Sequence, residues 1–98
     1  MNQLINRMNN VLGEWKSAYL MQASFEHSEF KLTENGFLQF QDLIICDANN
    51  LELESAAFDA EEIVFTLSNL RSIILTISWP LDEEPFVSEL HFHCGLSS

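Results

Sequence analysis

Along the first twenty residues the apolar side chains return every three or four positions: Leu4, Ile5, Met8, Val11, Leu12, Trp15, Ala18 and Tyr19. Spacing of that kind lines one stripe of an α-helix. The intervening Asn6, Arg7, Asn9, Asn10, Gly13, Glu14, Lys16 and Ser17 make a polar face, and Asn2 or Gln3 stands where an N-cap belongs. That face lacks the Lys/Arg enrichment of membrane-surface helices, so the stripe reads as core-packing material. Gly13 costs such a helix about 1 kcal/mol against alanine. Either something approaches the helix closely there or the loss is tolerated.

After Ser24 the period shortens to two. Phe25 and His27 share one parity and Phe30 and Leu32 the other, which places a bulge or a late strand start near Ser28. Glu34-Asn35-Gly36 then separates two apolar segments, and Asn-Gly is a strong hairpin signal because both residues accept positive φ. Residues 29–33 and 37–46 are expected to pair across it. The second of these carries Leu38, Phe40 and Ile44 on one parity and Phe37, Leu43 and Ile45 on the other, the pattern of a central strand covered on both faces.

Asp47-Ala48-Asn49-Asn50 has turn chemistry, and Leu51-Glu52-Leu53-Glu54 alternates as a half-exposed strand. Asp59-Ala60-Glu61 marks the next turn, followed by Ile63, Phe65 and Leu67 alternating with polar neighbours. After the turn at Ser68-Asn69-Leu70-Arg71, an inward set Ile73, Leu75, Ile77 and Trp79 is predicted. Pro80 and Pro85 bracket the acidic loop Leu81-Asp82-Glu83-Glu84. The final strand is expected to turn Phe86, Leu90 and Phe92 inward and Val87, Glu89, His91 and His93 outward. The expected fold is therefore α+β: one N-terminal amphipathic helix packed on an antiparallel meander sheet of five to six strands, a single domain over residues 1–98.

Composition supports folding without staples. Of 98 residues 47% are hydrophobic, with eight Phe and two Trp, which supplies a core without disulfide or metal. Cys46 and Cys94 lie far apart, without CxxC spacing, and read as reduced thiols. Met1 to Arg7 lacks the basic start and apolar core of a secretory signal, so a cytoplasmic location is expected.

Charge changes the picture more. The net charge of −11 is carried unevenly: residues 1–33 hold three acids and three bases, whereas residues 34–98 hold twelve acids and Arg71 alone. Such a field repels nucleic acid and anionic membrane and attracts basic proteins.

Candidate chemistry is sparse. Gly13, Gly36 and Gly95 are isolated from one another and from any GK[ST] sequence, which excludes a phosphate loop of known form. The thiols of Cys46 and Cys94 and the imidazoles of His27, His91 and His93 combine on paper, but no nucleophile elbow frames them. Glu89, His91 and His93 share a strand face at a spacing that zinc accepts, yet the same pattern is the polar face of a half-buried strand, and the latter reading is preferred. Asp82-Glu83-Glu84 lacks the spaced oxygen ligands of a calcium loop. Paired carboxylates on exposed turns lack the pocket that would drive their pKa values apart for acid–base work.

The expectation is a non-catalytic acidic protein, with no cofactor and no metal, that neutralises a basic protein partner in the manner of an immunity protein, an antitoxin or a nucleic-acid mimic. The contact residues expected are Glu52, Glu54, Asp59, Glu61, Glu62, Asp82, Glu83 and Glu84, since carboxylates on a rigid sheet can pair with Arg and Lys. The alternative is a structural or accessory subunit, in a homo-oligomer or hetero-oligomer, whose surplus apolar residues Val64, Ile74 and Val87 cover an edge or a second sheet face.

Overall fold

The helical stripe becomes α1, Gln3–Tyr19, in the computed structural model, which describes residues 3–19 and 29–95. Leu4, Met8, Leu12 and Trp15 are buried, Ala18 is exposed, and Tyr19 ends the stripe partly open, its ring 5.8 Å from Trp15 and edge-on to Phe58 at 6.1 Å. Gly13 meets nothing, so the helix tolerates it without a close neighbour. The alternation around Phe25 and His27, its parity change near Ser28 and the Asn2 cap lie outside the described residues.

Seven strands follow: β1 Phe30–Leu32, β2 Phe37–Phe40, β3 Leu43–Asp47, β4 Leu53–Phe58, β5 Glu62–Leu67, β6 Arg71–Ser78 and β7 Phe86–Cys94. They form two antiparallel meanders, β1-β2-β3 and β4-β5-β6-β7, which corrects the expected single sheet of five to six strands. The extra strand comes from residues 37–46, which fold back on themselves. Phe40 pairs with Leu43 across the two-residue turn Gln41-Asp42, where Gln41 takes φ 54°. Apolar residues on both parities thus mark two strands of opposite direction, with a bulge at Ile45 between them, rather than one strand covered twice.

The β1–β2 turn departs from the two-residue form expected of Asn35-Gly36. Gly36 N–H bonds Thr33 O at 3.0 Å, Thr33 N–H bonds Phe37 O at 2.9 Å, and of the loop residues only Gly36 has positive φ, 85°. This is a three-residue loop ending in a left-handed glycine. Asp47 Oδ1 accepts from Asn49 N–H at 2.8 Å and starts the link to β4, which begins at Leu53 rather than Leu51.

Parity on β7 is also corrected. Thr76 pairs with Glu89 and Ile77 with Val87, leaving Ser88 as a bulge residue. The inserted residue swaps faces, so Val87 packs against the core, whereas Phe86 pairs with Ser78 and is exposed.

The helix and both sheets share one hydrophobic cluster. Phe30 of β1 packs at a tilt on Phe40 of β2 with centroids 4.9 Å apart and meets Phe65 of β5 edge to face at 5.2 Å. Aromatic edges prefer such tilted contacts, and here they join one sheet to the other. No helix among the described residues is long and apolar enough to cross a membrane.

Candidate functional site

In an antiparallel meander alternate turns fall at the same end. The β4–β5 turn at residues 59–61 therefore lies beside the β6–β7 loop at residues 79–85, and the β5–β6 turn lies at the other end, roughly 17 Å away for a strand of six residues. Hydrogen bonds fix the first of these juxtapositions. Ile77 N–H donates to Glu61 O at 2.7 Å and Trp79 Nε1–H to Ala60 O at 2.5 Å.

The turn itself is built by its own acid. Asp59 Oδ1 accepts from Glu61 N–H at 2.8 Å and Asp59 N–H bonds Glu62 O at 2.9 Å, the side-chain-to-backbone closure that Asp favours. From the helix side, buried Trp15 donates Nε1–H to Asp59 O at 2.9 Å. The Trp15 and Trp79 rings lie 6.0 Å apart, so two indoles brace the turn from below and from the side.

Six of the eight predicted contact residues are thereby gathered: Asp59, Glu61, Glu62, Asp82, Glu83 and Glu84 lie at one end of the four-stranded sheet, all exposed. Glu52 and Glu54 do not join them. Ser68 ties Glu52 to the opposite end, its Oγ accepting from Glu52 N–H at 3.0 Å and its N–H bonding Glu52 O at 2.8 Å, and Glu54 sits on a bulge of β4. Two of the four bases, Arg7 and Arg71, lie nearer that far end. Arg71 opens β6, paired with Leu67, and Arg7 lines a groove with Glu52. Lys16, next to Trp15, is the base that α1 brings towards the acidic end.

Apolar surface accompanies the six acids, which sequence reasoning missed. Trp79 was expected to point inward and is 43% exposed; Phe86 is 47% exposed, and Leu81, between the two prolines, is fully exposed. A shallow groove beside the turn is lined by Ala57, Phe58, Asp59, Glu62 and Val64. The signal available in the sequence was the Pro-bounded loop, whose Leu81 has no alternating neighbours to pull it inward.

The row on β7 has its own geometry. His91 Nε2 lies 2.9 Å from Glu89 Oε2, and the His91 and His93 rings stack 6.1 Å apart, all on the solvent side. Among the described residues no group of three His, Cys, Asp or Glu side chains is placed to hold a metal. Cys46 and Cys94, both partly buried, are not joined in a disulfide. Burial pushes the Cys46 thiol above its ordinary pKa; Arg71 lowers it, and Asp47 and Cys94 add to the rise. Comparison of the chain with protein-family models, with characterised proteins and with solved structures gave no match.

Proposed function

We propose that this chain is a small acidic, non-catalytic binding protein that neutralises a basic protein partner, working as an immunity protein, an antitoxin or a nucleic-acid-mimicking inhibitor does, in the cytoplasm. One observation carries the reading: six carboxylates gathered at one end of a sheet, three of them at a turn that two tryptophans hold in place and three on the loop beside it. Charges fixed on a braced backbone need little reordering on contact, so they can meet lysines and arginines at low entropic cost and steer the encounter from a distance. Mobile surface acids would confer solubility equally well and would not require this bracing.

The test compares two variants in capture of basic proteins from cell extract at rising salt. Neutralising Glu61, Glu62, Asp82, Glu83 and Glu84 to the amides is expected to abolish salt-sensitive retention, while Glu52→Gln with Glu54→Gln leaves it nearly intact. Equal retention by both variants, or no salt-sensitive basic partner for the unaltered protein, would defeat the proposal.

A second reading, an accessory subunit in an oligomer, has two features in its favour. β3 is a sheet edge on which Leu43 and Ile44 are more than half exposed, and open apolar edges invite pairing. Val64 and Ile74 lie on the face of the four-stranded sheet opposite Ile63, Phe65, Ile73 and Leu75, the second face that such a role would use. They form a half-buried cross-strand pair there, whereas Val87 belongs with the core. A stable oligomer by sedimentation would favour this reading over the first.

A further inference from the structure

The acidic end carries three large apolar side chains that folding leaves uncovered, and they differ in how they are held. Trp79 is locked, its indole nitrogen on Ala60 O and its ring against Trp15, with 43% of its surface still open. Phe86 stands on the opposite face of the sheet beside Ser78. Leu81 lies in the loop that joins them, fully exposed, with Pro80 and Pro85, each of fixed φ, at the loop's two ends. Single exposed apolar residues are ordinary, but three within eight positions, interleaved with Asp82, Glu83 and Glu84, form a tip that water solvates poorly and that a partner can cover.

We propose that this tip is the anchor of the interface: Trp79, Leu81 and Phe86 enter apolar ground on a basic protein, and the surrounding carboxylates pair with lysines and arginines that ring it. The inference rests on the reading under Proposed function and adds to it the source of the binding energy. Interfaces draw most of their affinity from a few buried aromatic and aliphatic anchors, with charged pairs at the rim governing rate and selectivity. Charge complementarity fixes the occupant. A second copy of this chain would set like carboxylates against each other, and nucleic acid or an anionic membrane would be repelled by the same groups. A purely cationic surface would leave Leu81 in water.

Two synthetic peptides of equal length and charge test the idea, one alternating lysine with serine and the other alternating lysine with leucine and phenylalanine. Titrated calorimetrically, the apolar peptide is expected to bind at least about tenfold more tightly, as burial of one large side chain allows. Leu81→Ser with Phe86→Ser is expected to remove that gain and leave the salt dependence unchanged; Glu83→Gln with Glu84→Gln is expected to weaken both peptides and flatten it. Acrylamide quenching gives an independent readout: the apolar peptide is expected to shield Trp79, with buried Trp15 unaffected. Circular dichroism confirms that each variant is folded. Equal binding of the two peptides, or a gain that survives Leu81→Ser with Phe86→Ser, overturns the anchor and leaves the charge-based reading standing. Binding of neither peptide at low salt overturns both. Self-association of the protein that Leu81→Ser abolishes overturns the anchor in favour of a second copy.

Discussion

Asn9 serves β1 as a neighbouring strand would. Its Oδ1 accepts from Phe30 N–H at 2.7 Å and its Nδ2–H donates to Phe30 O at 3.0 Å, closing both backbone groups of a buried residue on an edge strand. In the sequence Asn9 is one more member of a polar helix face, because periodicity reports which face a residue occupies and not what lies opposite. Asn9→Ala leaves the N–H and C=O of Phe30 without these partners and is expected to cost about 1–3 kcal/mol. The midpoint of urea unfolding measures it, and a variant as stable as the parent would show that water replaces the amide. Cys46 yields a pH dependence. Since burial raises its folded pKa, the folded state holds this proton more tightly than the unfolded chain does. The resulting stability is fully present below the ordinary thiol value of about 8.5 and is lost as pH rises through the raised one. Stability of the parent is therefore expected to fall more steeply than that of Cys46→Ala above that pH, and iodoacetamide is expected to label Cys46 more slowly at pH 8 than in urea. Parallel stability curves would contradict the shift.

Elements were legible where a period ran without interruption. The helix stripe buries Leu4, Met8, Leu12 and Trp15, and β5 and β6 bury Ile63, Phe65, Leu67, Ile73, Leu75 and Ile77, as alternation predicts. Legibility fails where one residue resets the phase. Ser88 and Ile45 each add a bulge residue, which side-chain chemistry does not announce, and Gln41-Asp42 turns the chain without glycine, proline or asparagine. Gly36 is the opposite case, a turn whose residue type was read correctly and whose loop length was not. At φ 85° an added Cβ would meet only the Asn49 side chain, at ordinary contact distance, so the strain of Gly36→Ala lies in its backbone. About 1–2 kcal/mol of destabilisation is expected, as left-handed geometry costs an L-residue. The same amount should appear in thermal and urea unfolding. A neutral or stabilising effect would mean that the loop shifts to a right-handed turn at no cost.

At the scale of the molecule, the acidic site was legible as a charge bias but not as a place, because residue order does not say how far apart turns sit in space. Meander topology brings Asp59, Glu61 and Glu62 to Asp82, Glu83 and Glu84 and removes Glu52 and Glu54 to the far end. The site consequently depends on packing that is remote from it. Trp15, which braces the acidic turn, is part of the cluster that also holds Phe30 and Phe40 of the small sheet and Phe65 of the large one. Because Phe65 touches Phe30 across the sheets, removing its ring opens a void at the joint between them. Phe65→Ala is expected to cost about 3–5 kcal/mol, the usual range for a buried phenylalanine. A shared core also predicts that the loss is felt everywhere at once. Near-ultraviolet dichroism of the two tryptophans at the acidic end and far-ultraviolet dichroism of the strands should therefore lose signal at the same denaturant concentration in the parent, and at a lower but still common one in Phe65→Ala. Two separated transitions would mean that the tryptophan brace on the acidic turn and the strands do not melt together and that the core acts as two units.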